Sequence, residues 1–290
     1  MLIRFALPIV IALAAMPHAP QTRHAVDLEA ADCSHYQSMW GDFRTAYGTQ
    51  RTTVPVSVGT LEVRPEDNGG VQVLRGNGSA YSITACIAAG ARTVEDAQQA
   101  VDAVRIVVDG VRVTTSGASR ARRVSVQLVV EAPRDARIRA TTSNGPIGFE
   151  DVDGTFSADA SNGPIALHNV HGTVNARTQN GPISIHGGGG TFDAEASNGP
   201  ISVTLEGTRW NGRLDARSHN GPLTVTVPPD FVSGVEISSS SRSPWNCRLA
   251  ECRTSNGDRD YDSSRSLRLG RDPVVVRITT NNGPVAVQER

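Results

Sequence analysis

The chain has 290 residues, 38% of them apolar and only 4% aromatic. A core is affordable, but it must be built from Val, Ile, Leu and Ala in narrow layers rather than around large rings. A formal charge of −1, with no polybasic block, argues against nucleic acid as a partner, because sequence-independent binding needs phosphate neutralisation. Twenty-eight glycines, recurring at regular positions, and 16 prolines point to many tight turns and many short strands.

At the N-terminus, Arg4 precedes an apolar run over residues 5–15, followed by small residues at Ala12, Ala14, Ala15, Ala19 and Ala25. This is the pattern of an export signal, taken as residues 1–25, with cleavage expected between Ala14 and Ala25. A buried or membrane-anchoring helix is the competing reading, but the run is far shorter than the roughly 20 apolar residues that cross a bilayer. No later segment is long enough either, so the mature chain is expected to have no transmembrane span and to work in the periplasm, at the cell surface or outside the cell. Cys33 follows Ala30, Ala31 and Asp32, which lack the small residue expected just before a lipid-modified cysteine.

Four cysteines in an exported chain suggest disulfides, and four allow three connectivities. Cys247 and Cys252 are close in sequence and would staple an irregular loop, which leaves Cys33 and Cys86 to tie the mature N-terminus to the first strands. A metal site competes with this reading, although neither pair has the usual two-residue spacing with matching ligands.

Residues 26–130 are read as N-terminal strands with a capping helix. Residues 93–104 (TVEDAQQAVDAV) form that helix: Thr93 is the cap, Glu95 and Asp96 lie in the first turn, and Ala97, Val101 and Val104 make one stripe. Residues 105–113 (RIVVDGVRV) read as a hairpin around Asp109 and Gly110. Residues 123–130 and 137–142 then lead into a repeat region spanning 131–290.

In that region Asn-Gly-Pro begins at Asn144-Gly145, Asn162-Gly163, Asn180-Gly181 and Asn198-Gly199, each 18 residues after the last, and again at Asn220-Gly221 and Asn282-Gly283. A fixed short period means stacked coils. The third and fifth residues after each Asn are apolar (Ile147/Phe149, Ile165/Leu167, Ile183/Ile185, Ile201/Val203, Leu223/Val225), the period of two that marks a strand. A second strand follows Gly154, Gly172, Gly190 and Gly212, with inward sets Phe156/Ala158/Ala160, Val174/Ala176/Thr178, Phe192/Ala194/Ala196 and Leu214/Ala216/Ser218.

The fold expected is therefore all-β: a single-stranded β-solenoid of two-strand coils about 18 residues long, with one N-terminal capping helix. An antiparallel meander is the alternative, but hairpins do not require identical corners at an unvarying period. At each corner Asn tolerates the left-handed region, Gly supplies positive φ and Pro fixes the strand entry. The outward column Asp159, Arg177, Glu195, Arg217 alternates in sign, as neighbouring coils about 4.8 Å apart should. The same alignment puts a four-residue insertion within 206–211, with Trp210 projecting near a corner, and a polar excursion at 238–266; residues 274–287 (VVVRITTNNGPVAV) restore the pattern as a last coil.

This succession resembles the bacterial putative-adhesin family. The resemblance rests on the helix followed by RIVVDGVRV, on VSVQLVVEAPRDARIRATTSNGPI, on successive Asn-Gly corners with Val-x-Gly between them, and on a closing Leu-Gly before VRITTNNGPVAV, over roughly residues 54–288. It implies a β-solenoid, export and an adhesive or envelope role, with no catalytic residues to carry over. The Cys247–Cys252 excursion and the Pro after nearly every Asn-Gly depart from the family pattern.

The chemistry available leads to a non-enzymatic reading, a module that presents flat sheet faces to a surface or envelope polymer, glycan or protein, with association at solenoid ends or edges also open and no cofactor. Its rival is a glycan-processing β-helix enzyme, which needs paired carboxylates in a groove. The nearest candidates are Asp193, Glu195 and Asp215, flanked by Arg177 and Arg217 in what reads as a solvated charge network. No Gly-x-Ser-x-Gly, Walker loop or His-Glu-x-x-His pattern occurs. Calcium binding is disfavoured because the Gly-Gly-x-Gly-x-Asp nonapeptide is missing, and ice binding because Thr155, Thr173 and Thr191 form one column rather than two. The constellation nearest to a metal site is Glu150, His168 and His186, each six residues after its corner Asn; parallel side chains on a flat sheet do not converge as tetrahedral ligands must.

Overall fold

The computed structural model describes residues 33, 41–66, 69–118, 123–240, 243–249 and 265–290. The expected leader at 1–25, Cys252 and much of the excursion at 238–266 lie outside them. The described chain is mostly β, with one α-helix and two sheets of eleven strands each.

Each Asn-Gly-Pro segment carries the chain from one sheet to the other. The segments are entered from Ala136–Thr142, Asp153–Ala160, His171–Thr178, Gly189–Ala196, Asn211–Ser218 and Val274–Thr280, strands that share one sheet. They are left by Ile147–Glu150, Ile165–His168, Ile183–Gly187, Ile201–Leu205, Leu223–Val227 and Val285–Glu289, which share the other. We call these the entry sheet and the exit sheet. Pairing among these strands is parallel, and like residues meet: Ile147, Ile165, Ile183, Ile201, Leu223 and Val285 form one row of the exit sheet, and Phe156, Val174, Phe192, Leu214 and Val276 one row of the entry sheet.

All the expected inward residues are buried, and the two sheets share one apolar core. The exit sheet contributes mostly large inward residues and the entry sheet many alanines, and where two large rings meet, Phe149 and Phe156 pack with centroids 5.0 Å apart. Proline donates no hydrogen bond, but its carbonyl continues the ladder, accepting from the N–H that opens the preceding exit strand: Ile147 to Pro164, Ile165 to Pro182 and Ile183 to Pro200, each at 2.9 Å.

The corner glycines differ from expectation. Neither the Asn nor the Gly of any Asn-Gly-Pro corner has positive φ. Glycine is required there because backbones touch: a Cβ on Gly163 would lie 1.9 Å from the Gly145 carbonyl oxygen, and one on Gly199 the same distance from that of Gly181. Left-handed residues occupy the opposite corner instead, at Asp151 (φ 51) and Asn169 (φ 49), close to Gly154 and Gly172. Trp210 also corrects the sequence reading. It does not project from its insertion but is 3% exposed, edge-on to Phe192, with its ring N–H donating to the Gly190 carbonyl at 3.0 Å.

The helix, Val94–Ala103, is capped as expected by Thr93, whose hydroxyl accepts from the Asp96 N–H at 3.1 Å. Ala97 and Val101 are buried against Arg44–Pro55 and Ala80–Ala91, the last two strands of the exit sheet at this end. The hairpin follows, Arg105–Asp109 and Arg112–Ser116. The boundary expected at 130/131 falls inside the strand Val124–Ala132, which belongs to the exit sheet like the repeat strands. Cys33 and Cys86 are disulfide-bonded, with Cα atoms 5.4 Å apart. Cys247 is also disulfide-bonded; Cys252, its expected partner, is outside the described residues.

At both ends the spatial order departs from chain order. Gly70–Arg75 lies between Val124–Ala132 and Ile147–Glu150, both later in sequence. Residues 274–287, expected as the final coil, are not outermost: Val274–Thr280 runs between Asn211–Ser218 and Gly234–Ser239, two places in from the end of its sheet, and Val285–Glu289 between Leu223–Val227 and Trp245–Cys247, one place in. Both terminal segments are thus paired on two sides, and neither forms an open sheet edge.

Candidate binding surfaces

Three lines of polar side chains run across the strands. Along the corner, each Asn amide donates to the carboxamide oxygen of the Asn before it: Asn162 to Asn144 (2.9 Å), Asn180 to Asn162 (2.8 Å), Asn198 to Asn180 (3.1 Å), Asn220 to Asn198 (3.1 Å) and Asn282 to Asn220 (3.0 Å). A carboxamide carries both donor and acceptor, so one residue type repeated at one position satisfies itself indefinitely. At the opposite corner Asn169 donates to Asp151 in the same way.

The second line lies on the outer face of the entry sheet. The sheet register aligns Asp159, Arg177, Glu195 and Arg217 as the alternation of sign anticipates. The contacts are less uniform than a simple ladder. Arg177 reaches Glu195 at 3.7 Å, while Arg139 reaches Asp159 at 3.9 Å. Arg217 turns instead to Asp215 on its own strand at 3.1 Å, where Arg213 also binds at 2.9 Å. Glu195 gains His219 at 2.9 Å. The His219 hydrogen bond, followed by the charges of His219 and Arg177, holds the Glu195 carboxyl below its usual range against the opposing effect of partial burial. Of the three carboxylates weighed as a cleavage site, Asp193 and Asp215 are directly opposed on neighbouring strands, and Glu195 is opposite Arg217.

The third line, on the exit sheet, contains Glu150, His168, His186 and then Thr204 in register. His168 Nδ1 is 3.7 Å from Glu150 Oε1, and the two imidazoles are tilted at 45° with centroids 4.7 Å apart. His186 turns away from this pair to Glu206, its Nε2 lying 2.8 Å from Glu206 Oε1, and Arg290 binds the same oxygen at 3.1 Å. The nitrogens therefore point to separate carboxylates, and among the described residues no three His, Cys, Asp or Glu side chains are grouped to hold a metal ion.

Glu206 and Arg290 were not singled out from the sequence, because they are 84 residues apart and Glu206 stands in the insertion, outside the period. Partial burial raises the Glu206 carboxyl, but the charges and hydrogen bonds of His186 and Arg290 outweigh it and leave the group below its usual range. A depressed folded pKa contributes stability above the unfolded value and loses it as pH falls through the folded one. Carboxylates titrate from about 4.3 when unfolded. A Glu195→Gln/Glu206→Gln variant should therefore melt below the wild type at about pH 6, with the gap closing towards about pH 3. Thermal scans at the two pH values test this; a gap that does not change with pH would show that neither carboxylate is stabilised by its partners.

No family profile and no curated protein matches the chain. Among solved structures, it is similar to one from Clostridium sporogenes described as a putative cell adhesion protein, at 9% identity and TM-score 0.32, covering 84% of this chain and 100% of that one. It is also similar to one from Bacteroides fragilis described as a putative adhesin, at 10% identity and TM-score 0.39, covering 84% and 97%. Likenesses this remote carry no argument about what the chain binds. Among the described residues no helix is long and apolar enough to cross a membrane.

Proposed function

We propose that this chain is a non-enzymatic β-solenoid that acts outside the cytoplasm as an adhesin-like or envelope protein, holding a surface polymer, glycan or protein, against a flat sheet face. The observation that carries this reading is the column of ionic and hydrogen-bonding side chains on the entry sheet, Asp159, Arg177, Glu195 and Arg217, held in register across adjacent strands. Such a column offers a repeating polymer contacts of alternating sign, spaced about 4.8 Å from strand to strand. Export is supported by the leader-like pattern at 1–25 and by the Cys33–Cys86 disulfide, a bond that persists in oxidising compartments.

Charge compensation speaks against the glycan-cleaving alternative. Cleavage needs one carboxyl group kept protonated as a general acid, whereas the Glu195 carboxyl is pushed down by His219 and Arg177. The test is to present the chain without its leader to a glycan array and to isolated envelope polymer. Retention of one defined polymer, lost in an Arg177→Ala/Glu195→Ala variant, is the expected result; release of fragments from that polymer would replace this reading with the enzymatic one.

A further inference from the structure

Among the described residues the large apolar side chains left exposed are Tyr47, Val56, Val94, Val107, Val108 and Val111. All precede the first Asn-Gly-Pro corner, and three of the six cluster on one hairpin. Its first strand, Arg105–Asp109, is the outermost of the entry sheet and pairs on one side only, with Arg112–Ser116. Asp109 and Arg112 close the hairpin across Gly110 and Val111. Residues 109, 107 and 105 therefore bond to the hairpin partner, while Ile106 and Val108 turn their backbone groups outward.

Half of this edge is already closed. The Ile106 N–H donates to Gln50 Oε1 at 3.1 Å, and Gln50 Nε2 donates to the Val104 carbonyl at 2.6 Å, so one side chain does the work of a neighbouring strand. The other half, at Val108, has no such cover among the described residues, and Val108 is 42% exposed and Val107 39%.

We propose that this open half-edge pairs with the same edge of a second copy, antiparallel, about a two-fold axis at Val108. In that register Val108 exchanges two backbone hydrogen bonds with the partner's Val108, Gln50 keeps its bonds, and the exposed valines are covered from both sides. Charge selects this occupant and this direction. The strand is basic at Arg105 and acidic at Asp109, so antiparallel pairing sets Arg105 diagonally beside the partner's Asp109, whereas parallel pairing would align Arg105 with its own copy. The contact lies apart from the charged column on the entry sheet, and the proposal does not rest on polymer binding.

Sedimentation velocity on the leaderless chain should show a concentration-dependent dimer. Val108→Pro removes the outward N–H at an edge position that tolerates proline, and should abolish the dimer with the melting temperature unchanged and polymer retention intact. Directly opposed residues of a hydrogen-bonded antiparallel pair have Cα atoms about 5.5 Å apart, within disulfide range. A Val108→Cys variant should thus become a disulfide-linked dimer on mild oxidation, and Val107→Cys should not. A chain that stays monomeric at every concentration, a dimer that survives Val108→Pro, or preferential cross-linking through Val107→Cys would each overturn the proposal; pairing of this edge with an unrelated extended peptide and never with a second copy would overturn the choice of occupant.

Discussion

Replacing Gly181 with Ala is expected to lower the melting temperature by roughly 5–10 °C, a cost of about 2–3 kcal/mol for a chain of this size. The added Cβ would sit 2.0 Å from the Gly163 carbonyl oxygen, 2.6 Å from its carbon and 2.9 Å from the Thr178 hydroxyl oxygen. A flexible side chain can move aside, but here the obstacle is the backbone of the neighbouring corner. Asn180 N–H bonds to the Ser161 carbonyl at 3.0 Å and Ile165 N–H to the Pro182 carbonyl at 2.9 Å, so the two corners cannot separate without straining the ladder on either side. Gly207 provides the control. Its φ is +66 and nothing lies within 4 Å of its would-be Cβ, so Gly207→Ala should cost only the conformational penalty of about 1 kcal/mol. Thermal melts of the two variants separate backbone crowding from backbone conformation as the reason for glycine at the corner. Equal shifts would mean that the Asn-Gly corners have slack to spare.

What the sequence revealed about this fold came from its periodicity, and what it concealed came from contacts between distant segments. A period of two within strands and of 18 between them determined which side chains point inward, because alternation and stacking leave no freedom in that choice; every inward residue named from Phe156 to Ser218 is buried. The sign alternation from Asp159 to Arg217 likewise anticipated the register. The purpose of the corner glycine was not legible, since glycine at a turn is compatible with positive φ and with close approach, and only the neighbouring backbone decides between them. Nor was the order of the terminal segments, because Gly70–Arg75 and Val285–Glu289 carry ordinary strand patterns that say nothing about which strands flank them.

The polar surfaces were legible in proportion to how strictly they follow the repeat. Counting from the corner asparagines puts Glu150, His168 and His186 in one column, and they are in one column. That the histidines would divide between two carboxylates was not legible, because Glu206 enters from the insertion and Arg290 from the final strand's end. In the same way Arg213 and Arg217 both close on Asp215 along a single strand, two residues to either side, a pairing that cross-strand reasoning overlooks. Gln50 has no sequence signature at all: it closes half of an edge 54 residues away by offering one donor and one acceptor at the spacing of a peptide group.

Truncating Phe149 to Ala should cost about 3–5 kcal/mol, at the upper end for core substitutions. Phe149 is wholly buried, in a strand hydrogen-bonded to Gly70–Arg75 on one side and to Ile165–His168 on the other, and its ring packs against Phe156 in the facing sheet. The size of such a loss depends on whether the surroundings can collapse into the space left behind. A strand fixed on both edges cannot move inward without its neighbours. Phe149→Leu keeps most of the volume and should cost less than about 1.5 kcal/mol, while truncating Tyr47, which is 50% exposed, should stay within about 0.5 kcal/mol. Denaturant melts of the three variants would rank them, with m-values unchanged if only the native packing is affected. A Phe149→Ala loss near 1 kcal/mol would mean that the two sheets close over the gap, and hence that the hydrogen-bonded ladders do not hold their separation.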